Sequence, residues 1–268
     1  MKFNIKRRKK TIHFFNKMLT FAVSVAFILS LSTHLLADSG CGWYIKRRGN
    51  LRPGFPSDAE ELSSHGAIYI DEAFSDGMEE KRLYLTFDAG YENGNVERIL
   101  DVLKNEEVPG AFFLLDNIIL KAPHLVKRME EEGHLVCNHT KRHKNLCAAS
   151  REEIAEDLCA LEKICLDKTG VTMSKYFRFP EGKYSIESAR IVEELGYTTV
   201  FWSFAYEDWD NDRQMSAENA KKKILANTHN GAVILLHPTS KTNADILGEL
   251  ITEWRNMGYT FGRIDEIA

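Results

Sequence analysis

Three phrases in this chain repeat one structural event: Glu131-Glu132-Gly133-His134, Glu194-Leu195-Gly196-Tyr197 and Asn256-Met257-Gly258-Tyr259. In each, a helical segment stops at a glycine and a strand begins at once. Gly170 and Gly231 close two further periodic segments. A chain that alternates helix and strand in this way lays its strands parallel, because each return needs a crossover helix. From Lys81 onward the pattern predicts strands at 83–87, 111–115, 134–137, 176–178, 198–202, 232–236 and 260–261. Helices are expected over 95–105, 123–132, 150–168, 186–195, 217–228 and 244–257. Six or seven such units imply an α/β fold: a closed or nearly closed barrel, with an open doubly wound sheet as the alternative. In either, loops after the strand C-termini form the active face.

At 268 residues the chain can fold into one large domain with a substantial core. Its ends differ in charge. Residues 1–37 hold seven Lys or Arg and no acid; the remainder has 28 basic against 39 acidic residues, a net of −11. That balance excludes a nucleic-acid partner, which needs basic surface. The basic start precedes an uncharged stretch from Met18 to Ala37. Residues 1–37 therefore read as a signal peptide or an N-terminal membrane anchor, and either places the body outside the cytoplasmic membrane. Cys41 is not read as a lipid-attachment point, because Asp38 stands where an aliphatic residue is wanted. The five cysteines form no dense framework and default to buried thiols. Residues 38–80, with Arg52-Pro53-Gly54-Phe55-Pro56, read as an irregular arm packed on the body through Trp43, Tyr44 and Phe55. Residues 81–268 read as the main body. The sequence contains no internal repeat and no phosphate-cradling glycine loop.

Chemistry concentrates at strand ends. Asp88 closes Leu83-Tyr84-Leu85-Thr86-Phe87 just before a glycine turn. His139 and His143 are four apart, which on one helical turn would put both imidazoles on one side. Neutral imidazole suits zinc or another first-row divalent cation. Cys147 lies beyond Lys144-Asn145, a loop, and is not taken as a ligand. Arg178, before Phe179-Pro180-Glu181-Gly182, can pair with a carboxylate. Asp208-Trp209 lies in an aromatic, acidic loop with Trp202, Phe204, Tyr206 and Glu207, the composition of a sugar-binding wall. His237 ends the apolar run Ala232-Val233-Ile234-Leu235-Leu236.

Taken in order, Thr86-Phe87-Asp88-Ala89-Gly90, His139 to His143, Arg178 to Gly182, Asp208-Trp209 and Leu235-Leu236-His237 resemble the five motifs of NodB-type polysaccharide deacetylases, carbohydrate esterase family 4. The stretch Thr86-Phe87-Asp88-Ala89-Gly90-Tyr91-Glu92-Asn93-Gly94 and the arm near Trp43 and Lys46-Arg47 resemble the delta-lactam-biosynthetic subgroup, which acts on muramic acid of spore cortex peptidoglycan. The resemblance implies a distorted (β/α) barrel of about seven strands, the NodB homology domain, and metal-assisted hydrolysis of an N-acetyl group. It implies Asp88 as general base and His237 as general acid. Arg178 would hold Asp88, and Asp208 would orient His237. His139 and His143 would bind the metal, the backbone N–H of Glu181 would hold the oxyanion, and Leu235 and Trp209 would line the acetyl-methyl pocket. The implied partner is the peptidoglycan glycan strand, with membrane contact only through the N-terminal segment; oligomeric state is not legible.

The chain departs from the pattern at three places. Ala89 replaces the second aspartate, normally the third metal ligand, as the spore subgroup also departs there. Losing an anionic ligand lowers metal affinity. Phe179 replaces the first proline of the third motif, and Ala205 the first acid of the fourth. Three other readings stay open: a deacetylase of N-acetylglucosamine in cell-wall or chitin oligomers, a non-catalytic glycan-binding homologue, and a metal-free enzyme using Asp88 and His237 alone.

Overall fold

The computed structural model describes residues 41–267, so the leader expected over 1–37 lies outside the described residues. The arm opens with β1 (Cys41–Gly42), the hairpin β2 (Lys46–Arg48) and β3 (Leu51–Gly54), and helix α1 (Ala59–Ser64). The body begins with β4 (Lys81–Ala89), α2 (Asn95–Asn105), β5 (Gly110–Leu114), α3 (Asp116–Lys121), α4 (Pro123–Glu131) and β6 (Leu135–Asn138). It continues through α5 (Arg151–Thr169), β7 (Tyr176–Phe177), β8 (Lys183–Tyr184), α6 (Ile186–Glu194) and β9 (Thr198–Thr199). It ends with α7 (Ala217–Leu225), β10 (Ala232–Leu236), α8 (Lys241–Asn256) and β11 (Tyr259–Gly262). Serines 150, 185, 216 and 240 cap α5 to α8, each side chain accepting from the backbone three residues on. No described helix is long and apolar enough to cross a membrane.

The main sheet runs β10-β4-β5-β6-β7-β9, all parallel. β11 pairs with residues 81–84 of β4 and β5 with residues 85–89, so they share one edge of that strand. The sheet curls into a half-barrel. Its open side, between β9 and β10, is bridged by the arm: Ile68 pairs with Val200 and Ile70 with Ala232. Nearer the mouth, Phe204 pairs with Ile234.

Strand pleating sorts the side chains into layers. On β4, Leu83, Leu85, Phe87 and Ala89 pack outward in the apolar layer beneath the helices. Tyr84 belongs instead to the barrel interior, with Ala111, Phe113, Cys137 and Val233. Thr86 and Asp88 share its face, so period two delivers Asp88 to the mouth and turns Ala89 away.

The sequence expectations differ from the structure in identifiable ways. The region taken as an irregular arm contains a hairpin and a helix. Helix α3 escaped notice because Ile118-Ile119-Leu120 follows the apolar run of β5 after only Asp116 and Asn117, too short a segment to show a helical period. Helix α8 begins three residues earlier than expected, at a Ser240 cap. β9 is only two residues long. Cys137 and Cys165 are buried thiols, whereas Cys159 is exposed.

The arm is anchored by Trp43, 6% exposed. Its ring stacks on Phe201 at 4.6 Å and meets Tyr69 at 5.0 Å, and its Nε1–H donates to the Trp202 carbonyl at 2.8 Å. Trp43→Ala is expected to destabilise the fold by about 3–5 kcal/mol. Urea unfolding measures this, and a loss below ~1 kcal/mol would show that the arm is not integral to the body.

Candidate active site

A cleft of about 670 Å³ opens where the strands end. Asp88, His139, His143, Glu181, Trp209, Leu235 and His237 all line it. The sequence-predicted residues are thus brought together, with Arg178 and Asp208 buried immediately behind.

Asp88 is 8% exposed and Arg178 fully buried. The Arg178 Nη1 donates to Asp88 Oδ1 at 2.7 Å, and Nη2 to Thr86 Oγ1 at 2.9 Å. Its Nε donates to the Val200 carbonyl at 2.9 Å, and the guanidinium lies 4.1 Å from the Phe113 ring centroid. Burial raises the pKa of Asp88, but the charge of Arg178 foremost, with that of His237, outweighs it. The carboxyl is held below its ordinary range and is ionised at neutral pH.

His139 Nδ1 lies 2.8 Å from the Arg178 carbonyl. A carbonyl only accepts, so Nδ1 carries the proton and Nε2 presents a lone pair, 3.5 Å from Asp88 Oδ2. Burial pushes His139 down to about 4, keeping it neutral. The His143 ring stands 5.0 Å away at 73° and is likewise pushed down, chiefly by burial. The pair does not sit on a helical turn. Residues 139–143 form a loop whose backbone turns left-handed at Thr140 (φ 67°) and His143 (φ 57°). The Asn138 side chain holds Thr140 N–H at 3.0 Å, and Asp157 holds Lys141 N–H at 2.8 Å. The two rings are brought together by this loop and not by helical spacing.

On the opposite wall, Asp208 accepts from the His237 ring at Nδ1 (2.7 Å) and from its backbone N–H (2.8 Å). Burial lowers the His237 pKa, but the Asp208 carboxylate overcomes it, so the imidazolium persists above its usual range. Asn243, on α8, donates to Asp208 at 2.6 Å and to the His237 carbonyl at 3.1 Å. Sequence reading missed Asn243 and Thr86. Thr86 stood inside a recognised motif, whereas nothing local marks Asn243.

Glu181 adopts φ 56° and places its backbone on the cleft wall, while its side chain turns out to Lys183 at 2.6 Å. Gly182 follows at φ 64°, where a Cβ would meet Trp202 at 2.8 Å and Trp43 at 3.1 Å; only glycine fits. Leu235 is buried and Trp209 is 59% exposed beside His237, ring centroids 6.2 Å apart. Ala89 is fully buried in the outer layer and does not line the cleft. Among the described residues no group of three His, Cys, Asp or Glu side chains is arranged around one metal position. The nitrogen donors on the Asp88 side of the mouth are the His139 and His143 imidazoles. A neutral histidine with one nitrogen pinned by a carbonyl and the other facing the cleft is the form that ligates metal, so the residues fit a divalent cation.

A curled parallel half-barrel with an Asp–Arg pair, two imidazoles and an Asp–His pair at its mouth defines a class of hydrolase, and the comparisons agree on which. The polysaccharide deacetylase family matches residues 75–200. The chain is 37% identical to peptidoglycan-N-acetylmuramic acid deacetylase PdaA of Bacillus subtilis (strain 168) over 225 residues, 84% of each. The solved structure of Bacillus subtilis PdaA, a family 4 carbohydrate esterase, superposes with TM-score 0.79 at 34% identity, covering 85% of this chain and 97% of that one. A family 4 carbohydrate esterase from Bacillus anthracis gives 0.69 at 32%, covering 85% and 96%. The chain belongs to the polysaccharide deacetylase family and is a hydrolase of that family.

With Asp88 held low and His237 held high, the ionised carboxyl and the protonated imidazole coexist in a pH window between the two pKa values, the pairing that acid–base catalysis by these two groups would use. In Asp208→Asn the main opposition to the burial penalty on His237 is lost, Asp88 alone still countering it, and the pKa falls. The alkaline limb of the pH–rate profile is expected to move to lower pH, with kcat reduced on the order of 10²-fold. An unmoved limb would show that His237 is not the titrating acid.

Proposed function

We propose that this chain removes the N-acetyl group of muramic acid in peptidoglycan, on the route to the muramic δ-lactam of spore cortex. One observation carries the reading of the chemistry: Asp88 and His237 share one cleft and each shifts the ionisation of the other. A base and an acid in complementary protonation states in one cleft are what hydrolysis of an acetamido group requires. The muramic substrate rests on the similarity to PdaA over most of both chains. Export is supported by the basic and then uncharged residues 1–37 and by the acidic body.

Asp88 takes a proton from the water that attacks the acetyl carbonyl. The guanidinium of Arg178 keeps the carboxylate ionised and fixed while it does so. The Glu181 backbone N–H stabilises the oxyanion that develops, its aim set by the left-handed backbone at that residue. His237, held in one tautomer by Asp208, protonates the departing amine. Leu235 and Trp209 take the acetyl methyl. His139 and His143 would hold the divalent cation, which when bound polarises the acetyl carbonyl and acidifies water. Its identity, zinc or another first-row ion, is a matter for assay.

Asp88→Asn is expected to abolish acetate release from cortex glycan while glycan binding survives; retained turnover would remove Asp88 as the base. His237→Ala should lower kcat by ~10²–10⁴-fold. Dialysis against chelator should abolish turnover, and added divalent cation should restore it in the parent but not in His139→Ala. Persistent activity after chelation would select the metal-free reading. Mass spectrometry of the products separates the substrates. Loss of acetyl from muramic acid supports the proposal, and loss only from N-acetylglucosamine overturns it.

A further inference from the structure

We infer that Arg47, carried to the rim of the cleft by the arm, is a specificity-determining residue that binds the free carboxylate of the lactyl ether on muramic acid. The inference rests on the muramic-acid reading above and adds the residue that would enforce it.

Apart from its neighbour Arg48, Arg47 differs from every other described arginine in having no carboxylate partner. Arginines 52, 82, 98, 128, 142, 151, 178, 190, 213, 255 and 263 are all ion-paired. In a body with a net charge of −11, an arginine without an acid is conspicuous. It is also held in place. Arg47 Nη2 donates to the Ala205 carbonyl at 2.5 Å, and its guanidinium carbon lies 5.7 Å from the Phe204 ring centroid. Ala205 lines the cleft. Phe204 accepts from the Leu235 N–H at 2.9 Å, two residues before His237, so the anchor point lies at the level of the reacting groups. An acid at position 205 would pair with the guanidinium and cancel it. Alanine offers only its main-chain carbonyl, and the remaining N–H donors stay open. Glu207, two residues on, forms no ion pair with it among the described residues.

The hairpin that presents Arg47 is fixed at its base. Trp43 N–H donates to the Gly182 carbonyl at 2.8 Å, and β1 pairs with β8. A fixed cation with open donors favours a planar carboxylate. Muramic acid carries its lactyl ether on the carbon next to the one bearing the acetamido group. A sugar seated with its acetamido group between Asp88 and His237 therefore has the lactyl group close to the reacting bond. That group is an anion only when no stem peptide is attached, because attachment converts the carboxylate to an amide. Stem peptides carry carboxylates of their own, but farther from the ring.

The test compares acetate release by the full-length enzyme from three glycans: peptide-free muramic glycan, the same glycan with its lactyl carboxylate amidated, and glycan with intact stem peptides. The parent is expected to prefer the free lactyl form, and its KM on that form to rise with salt. Arg47→Gln should lower kcat/KM on the free lactyl glycan about ten- to a hundredfold and leave the amidated glycan unchanged, abolishing the preference. Arg47→Lys should retain part of it, and Arg48→Gln all of it. An Arg47→Gln enzyme that keeps the parental preference, or that loses both substrates equally, overturns the inference. So does a parent that prefers the peptide-bearing glycan, which would mean the guanidinium reads a peptide carboxylate. Acetate released by the parent from N-acetylglucosamine oligomers alone would overturn the muramic-acid reading itself, and this inference with it.

Discussion

The structure depends on one buried ion pair. Moving a guanidinium and a carboxylate out of water costs several kcal/mol for each ion, and the attraction between them offsets this only when every remaining donor and lone pair is satisfied. Arg178 has a partner on each of its three side-chain nitrogens. Its donors reach Asp88, Thr86, Val200 and Phe201, and its own carbonyl accepts from His139. A single residue thus joins β4, the strand edge past β9 and the histidine loop. Its charge also holds Asp88 ionised in a setting where burial alone would protonate it.

A second assembly stands against it. Asp208 is buried behind His237 and accepts from its ring, its backbone and Asn243. The two carboxylates have opposite tasks. Asp88 has its own pKa lowered by Arg178, whereas Asp208 raises that of its neighbour His237. The effect comes from placing one carboxylate beside a permanent cation and the other beside a titratable one. Backbone strain gathers around these groups. Of the four non-glycine residues with positive φ among those described, Thr140, His143 and Glu181 belong to the site and only Glu107 lies elsewhere. Such conformations persist where surrounding contacts over-determine them, here through Asn138, Asp157 and the tryptophan pair around Gly182.

The arm is part of this machinery. It supplies the segment that bridges the open side of the half-barrel, clamps the loop bearing Glu181 through Trp43, and brings Arg47 to the rim. Parallel sheets need both faces covered, and an incompletely closed barrel needs its gap filled. The residues preceding β4 meet that need with Ile68 and Ile70.

Local chemistry made much of this legible in sequence. Glycine stops are set by backbone sterics and the helical period by side-chain spacing, so the helices from α2 onward could be placed, α3 excepted. Pleating has period two, so an aspartate ending an apolar strand had to face the mouth once its neighbours faced the helices. What the sequence could not determine is whatever depends on contacts between distant segments. The histidine pair adopts a left-handed loop because Asn138 and Asp157 bind its backbone, not because of its own spacing. Asn243 lies 35 residues from Asp208, and Arg47 lies 158 from Ala205. No short-range pattern records such pairs, because the free energy that selects them arises only after the sheet has curled and expelled water from between them.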